Sequence, residues 1–280
     1  MAIKLNGEEC YLNRPDGKIY YVKTGNGEPV VLLHSAGYSA ESWANVVPAL
    51  SSRFTCYVVD LPGYDHSDVP TYKYTIEDFA QAISEVMAHA GIDRASFVGD
   101  HTGAMIAVHM AVNHPRLVDK IVCDGLPYWN KERGRIVFER FMMRTYTDTT
   151  SYDTPVLPVR TWENYQTYNP EATRDGYDRY VELLNKCRLW WRYTHEATTN
   201  YDMQSTAAKV TQPLLVIYSE GDYLRRGEAK LREETQASVQ VIAGVSTSAH
   251  FDPRYWPELR PTNPVEFNSL AMDFLLQSHE

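Results

Sequence analysis

Residues 96 to 103 read Ser96-Phe97-Val98-Gly99-Asp100-His101-Thr102-Gly103, and residues 103 to 112 continue with helical character. Two glycines flanking three residues, between an apolar strand and a helix, specify a sharp turn. The small residues let strand and helix approach closely, and the middle residue is pushed out at the edge of a sheet. That middle residue is His101. The amide of Thr102 heads the helix, where unpaired N–H groups favour a developing negative charge.

Short apolar runs alternate with helical stretches on both sides of this turn. Upstream, Lys18 to Lys23 has strand character and ends at Gly25-Asn26-Gly27, which reads as a turn. Val30-Val31-Leu32-Leu33 and the run Phe54 to Val59 are continuously apolar, as strands buried on both faces must be. Thr75 and Asp78 are spaced as a capping box for a helix carrying Phe79, Ala82, Ile83, Val86 and Met87, which Gly91 ends. Downstream, Ile121-Val122-Cys123 is a further strand. After Pro213, Leu214 to Ile217 and Val239 to Ile242 are strands, and 264 to 276 is a closing helix. Strand, helix, strand in this rhythm predicts an α/β fold, a mostly parallel sheet flanked by helices.

Residues 126 to 210 break the rhythm. They hold no strand-like run and are rich in Trp and Tyr, so they read as a helical insertion, a cap on a core formed by 1–125 and 211–280. Most of the cap aromatics read as packing, and some as a pocket roof. A length of 280 residues suits one such unit or two. With 44% hydrophobic and 22% charged residues the composition is that of a globular chain. Lys plus Arg is 27 and Asp plus Glu is 36, a net charge of −9, which argues against nucleic acid as a partner. No run of 18 apolar residues suggests a membrane span, and the first six residues lack a signal-peptide core. Cys10, Cys56, Cys123 and Cys187 form no CxxC pair, and three of them read as buried thiols of a reducing cytoplasm.

In an open parallel sheet, ligands bind at the carboxyl ends of strands. Three such ends carry polar residues that packing does not require: His34-Ser35-Ala36-Gly37, the turn around His101, and Gly221-Asp222 together with Ala249-His250. These segments resemble motifs of the α/β-hydrolase superfamily. Residues 99 to 103 resemble its nucleophile elbow, residues 34 to 37 its oxyanion loop, and Asp60 to Asp68 the segment after its fourth strand. Asn113-His114-Pro115 resembles the end of the helix behind the elbow. Ser219 to Asp222 resembles the acid loop, and Ser248-Ala249-His250 the histidine loop. The order elbow, acid, histidine is the family's.

The resemblance implies site residues. His250 is expected as general base, steadied by Asp222, and the amides of Ala36 and Thr102 as an oxyanion hole. The insertion stands where capped members such as epoxide hydrolases, haloalkane dehalogenases and C–C bond hydrolases carry theirs. Trp129, Tyr165, Trp190 and His195 of the cap are expected to border the substrate, with Ser35 and with His34, which also reads as holding its own loop. Asp100 and Asp124 are expected behind the site. The chain departs from the family where Ser, Asp or Cys usually stands, since His101 takes the nucleophile's place. Ser35 replaces a usual glycine of the oxyanion loop, and Asp65-His66 a commoner glycine and its neighbour.

An imidazole titrates near pH 6.5, so it can act as base, acceptor or nucleophile. With Asp222 favouring the cation on His250, His101 is expected to stay neutral. The pair is then suited to activate water against an ester, lactone or C–C bond of a small apolar or aromatic substrate. Two alternatives remain open here: non-hydrolytic proton transfer of the lyase, decarboxylase or cyclase type, and a degenerate ligand-binding receptor. No cofactor motif is present, and the spacing of His34, His101 and His250 matches no zinc pattern. The expected partner is a small molecule, for a cytoplasmic monomer or homodimer that binds neither nucleic acid nor membrane.

Overall fold

The structure is a computed structural model that describes residues 5–139, 162–163, 166, 173–243 and 264–278. Eight strands form one sheet: β1 (Glu8–Arg14), β2 (Gly17–Gly25), β3 (Pro29–Leu33), β4 (Thr55–Val59), β5 (Ala95–Asp100), β6 (Val118–Asp124), β7 (Leu214–Ser219) and β8 (Ser238–Ile242). Their order is β1-β2-β4-β3-β5-β6-β7-β8. Pairing from β4 through β8 is parallel, while β2 runs antiparallel to both β1 and β4. The parallel strands match the apolar runs to within a few residues. Sequence reading missed β1. Glu8-Glu9-Cys10-Tyr11-Leu12-Asn13-Arg14 is too polar to declare itself, because an edge strand buries little and is fixed by pairing with β2. The signal that was present is Pro15-Asp16-Gly17, a tight-turn tripeptide joining β1 to β2.

The continuous apolar runs are explained by two cores, one on each face of the sheet. Val30, Leu32, Val98, Val122 and Leu215 pack with Phe267, Ala271 and Leu275 of the closing helix (Pro264–Leu276). Their neighbours Val31, Leu33, Phe97, Ile121 and Val216 pack on the opposite face against α1 (Ile76–His89) and α2 (Thr102–Asn113). Successive strand residues point to opposite faces, so both must be apolar. Thr75 caps α1: its hydroxyl accepts from the Asp78 amide, and the Asp78 side chain accepts from the Thr75 amide.

In the region 126–210 the described elements are helical. α3 spans Lys131–Val137 and α4 spans Arg174–Asn200. Two glycines of the core let α4 settle against it. A Cβ on Gly63 (φ +90) would fall 1.9 Å from the Trp190 indole, and one on Gly37 (φ +88) 2.9 Å from Trp191 Nε1. Trp190 Nε1 donates to the Pro62 carbonyl at 2.7 Å. The buried Asp65 carboxylate accepts from Arg179 and from Lys186 (3.1 Å) of the same helix. The segment after β4 is therefore the seat of α4. Among the described residues no helix is long and apolar enough to cross a membrane. The four cysteines are free thiols, with Cys56, Cys123 and Cys187 buried.

Where β5 turns into α2, the two glycines of the turn are spaces. A Cβ on Gly103 would stand 2.0 Å from the Leu33 carbonyl oxygen, and one on Gly99 2.4 Å from the Gly103 carbonyl carbon. Since backbone rather than a flexible side chain stands in the way, Gly103→Ala is predicted to destabilise the fold by about 1–3 kcal/mol. Urea denaturation reads this as a lower midpoint at unchanged slope, and an unchanged midpoint contradicts the close approach.

Candidate active site

The sheet itself brings the site together. Leu33 is paired with Gly99, Asp100 with Asp124, and Asp124 with Ile217, so β3, β5, β6 and β7 end side by side. The residues that follow those ends, 34–37, 101, 125 and 222, leave from one edge, where parallel sheets bind ligands.

His101 occupies the turn with φ 42 and ψ −93. With Asp65 it is one of two non-glycine residues at positive φ among the described residues. Backbone held in a sparsely populated region costs on the order of 1–3 kcal/mol and persists where neighbours over-determine it. Here the His101 amide donates to the Asp124 carbonyl at 3.0 Å, and the His101 carbonyl accepts from the Met105 amide, opening α2. The imidazole is held beneath the surface at 3% exposure.

Nε2 of that ring lies 3.6 Å from Oδ2 of Asp222. The separation is too long for a good hydrogen bond and short enough for an ion pair. Asp222 is positioned from below: its Oδ1 accepts from the Leu224 amide at 2.8 Å, capping the short turn Tyr223–Gly227 that follows β7. Gly125 completes the arrangement. A Cβ there would stand 2.6 Å from Asp222 Oδ2 and 2.6 Å from both Cδ2 and Nε2 of His101. The missing side chain of Gly125 is the room in which imidazole and carboxylate meet. Sequence reading missed it, although its place directly after Asp124 at a strand end was a signal.

The geometry brings Asp222 to one of the two expected imidazoles. Asp222 stands beside His101, and His250, which it was expected to steady, lies outside the described residues. Burial alone would lower the His101 pKa. The Asp222 charge and its hydrogen-bonding reach, joined by the charges of Asp100 and Asp124, outweigh burial and raise it. The pKa of His101 is thus held above that of a free imidazole. His195, one turn beyond Trp191 on α4, behaves oppositely. Burial pushes it down to about 4, against a hydrogen bond to the Trp191 carbonyl, and protonation of nearby His101 works in the same direction as burial. A carbonyl only accepts, so Nδ1 of His195 carries the proton in its 2.8 Å bond to Trp191, and Nε2 is the acceptor.

The other expected residues fall in distinct places. The Ala36 amide donates to Thr102 Oγ1 at 3.4 Å, so the oxyanion-loop residue and the first residue of α2 face each other. Ser35 is buried, and its carbonyl accepts from the Tyr38 amide. His34 is fully buried with both nitrogens engaged by backbone: Nδ1 donates to the Ser35 carbonyl at 2.7 Å, and Nε2 accepts from the Leu61 amide at 2.9 Å. It ties the loop after β3 to the loop after β4. Asp100 and Asp124 are buried side by side at the strand ends. Trp190 is pinned on Pro62, and Trp129 Nε1 donates to the Thr198 carbonyl at 3.3 Å. Tyr165 lies outside the described residues. Asp60, Asp65 and His66 offer three ligand atoms within 4.8 Å of one another, yet these groups already serve the Ala40 amide, Arg179, Lys186 and each other.

Residues 28–225 match the model of a family described as alpha/beta hydrolase fold. A soluble epoxide hydrolase of Corynebacterium sp. (strain C12) is 32% identical over 111 residues, 39% of this chain and 39% of that protein. A pimeloyl-[acyl-carrier protein] methyl ester esterase of Vibrio campbellii is 25% identical over 244 residues, 83% of this chain and 92% of that one. The structure of Epoxide Hydrolase A from Mycobacterium thermoresistibile superposes with a TM-score of 0.77 at 17% identity, covering 96% of this chain and 98% of that one. Over the Corynebacterium relative the match thus spans about two fifths of its length, whereas the family model spans well over half of this chain. The chain belongs to the α/β-hydrolase family.

Proposed function

We propose that this protein is a hydrolase in which His101, steadied by Asp222, draws a proton from water as that water attacks the carbonyl of a small apolar or aromatic ester or lactone. The observation that carries this reading is the position of the imidazole: raised at the elbow, buried, and 3.6 Å from a buried carboxylate. A base is useful when its protonated form is stabilised at the moment it forms. Asp222, with Asp100 and Asp124 behind, provides that stabilisation. With Nε2–H directed at Asp222, the basic lone pair is on Nδ1.

The step balances with one water. Its oxygen bonds to the carbonyl carbon, and its proton goes to His101. The carbonyl electrons move to oxygen, and the resulting charge is received by the amides of Ala36 and Thr102. The Ala36 amide now makes only a long 3.4 Å bond to the Thr102 hydroxyl, a contact that a substrate oxygen can displace. When the intermediate collapses, the leaving alkoxide takes the proton back from His101. Residues 126–210 are the cap, α4 covers the oxyanion loop through Trp191 on Gly37, and neutral His195 is an acceptor for a polar group of the substrate. The names of the relatives, an epoxide hydrolase and a methyl ester esterase, support hydrolysis by this fold. His250 is read as a second imidazole of the site.

With a panel of aryl acetates and lactones as probes, His101→Gln is predicted to lower kcat by about 10²- to 10⁴-fold. Unchanged turnover overturns the assignment. Incorporation of labelled oxygen from water into the acid product, with no adduct on His101, separates the water route from an acyl-imidazole.

The pH dependence has a definite sign. A base must be neutral to accept a proton, so kcat/KM rises with pH through the pKa of His101, and that pKa stands above the free-histidine value of about 6.5. In Asp222→Asn the largest raising influence is gone while burial remains, so the midpoint of the residual activity moves to lower pH. A midpoint that stays in place or moves upward contradicts the pairing.

Gly125→Ala sets a methyl group against both partners at once. It is predicted to lower kcat at least about tenfold with little change in KM and to shift the midpoint the same way as Asp222→Asn. A wild-type profile in this variant rules out Gly125 as the spacer of the pair.

A further inference from the structure

A second concavity lies on the other side of the acid loop from His101. It is a cleft of about 220 Å³ between α3 and the segment Tyr223–Lys230, and neither His101, Asp222, His195 nor Trp191 lines it. Its apolar lining includes Trp129, Val137 and Leu224, each less than a tenth exposed. Three cations border it: Arg133, Arg226 and Lys230. Among the described residues neither Arg133 nor Arg226 has a carboxylate partner, although Arg14, Arg179, Arg192 and Arg232 are all paired. Arg226 lies over the Tyr223 ring, 4.6 Å from its centroid. Glu234, which touches three of the lining residues, is already shared by the Tyr128 hydroxyl (2.8 Å), the Gln204 amide (2.9 Å) and Lys230 (3.7 Å).

A chain with net charge −9 has acidic partners to spare, so two arginines over one cleft with no carboxylate partner among the described residues are a local concentration of positive charge. A guanidinium presents a planar fork that matches a carboxylate with two parallel hydrogen bonds. The volume lies below the roughly 300 Å³ at which pockets for drug-sized ligands begin, which limits the occupant to a small one. We propose that the cleft bordered by Arg133, Arg226 and Trp129 is a binding site for a small aromatic carboxylate, distinct from the site around His101. The ring lies against Trp129, Val137 and Leu224, and the carboxylate bridges the two arginines. Leu224 belongs both to this cleft and to the turn whose amide holds Asp222, so a ligand here braces the loop that carries the acid.

The test is a calorimetric titration of the full chain with naphthalene-1-carboxylate, beside the neutral naphthalene-1-methanol. The carboxylate is expected to bind with a Kd at or below about 1 mM and at least about tenfold more tightly than the alcohol. Arg133→Gln/Arg226→Gln is expected to lose at least about tenfold in affinity for the carboxylate while keeping its thermal midpoint, and Arg226→Gln alone to lose part of it. Equal affinity in wild type and the double variant overturns the proposal, because the carboxylate is then held elsewhere, the His101 site included. So does an alcohol that binds as well as the acid, or a carboxylate that does not bind.

Discussion

An imidazole and a carboxylate share a buried space that Gly125 leaves open, and the rest of the molecule serves that meeting. His101 is held up by a strained turn, and the turn exists because Gly99 and Gly103 let α2 lie against β5 and β3. Asp222 is held by an amide of the turn it caps. Burying a histidine normally discharges it. Three carboxylates at the ends of adjacent strands reverse that tendency, and a ring whose pKa is held above that of a free imidazole is suited to receive a proton from water. The charge that His101 gains on protonation depresses His195, so the surroundings push two neighbouring imidazoles in opposite directions.

The long helix α4 depends on the core in a different way. Its tryptophans fit where glycines 37 and 63 offer no side chain, and its Arg179 and Lys186 converge on the buried Asp65. The loops after β3 and β4 are thereby fastened to this helix. Asp65 stands at positive φ, a conformation that glycine adopts more easily, and its carboxylate there serves as an ionic anchor for α4.

Much of this was legible in the sequence because it follows from periodicity and turn chemistry. Continuous apolar runs such as 30–33 and 214–217 require a sheet covered on both faces, and Gly99 to Gly103 marks a sharp strand-to-helix turn. The strand Glu8–Arg14 was not legible, since an edge strand draws its stability from backbone pairing rather than from a pattern of its own. Charge placement was the harder part. The order of motifs pointed to Asp222, but its approach to His101 depends on side-chain reach across Gly125, and reach leaves no periodic trace. The role of His34 was visible only by half: its loop was marked, while its bond to the Leu61 amide joins residues 27 apart in sequence.

The central claim is electrostatic, and its most direct measure is a nitrogen-15 NMR titration of the His101 ring in wild type and in Asp222→Asn. The account predicts a wild-type pKa above that of a free histidine, about 6.5, and a fall in the variant. A wild-type value at or below the free one, unmoved by the substitution, contradicts it.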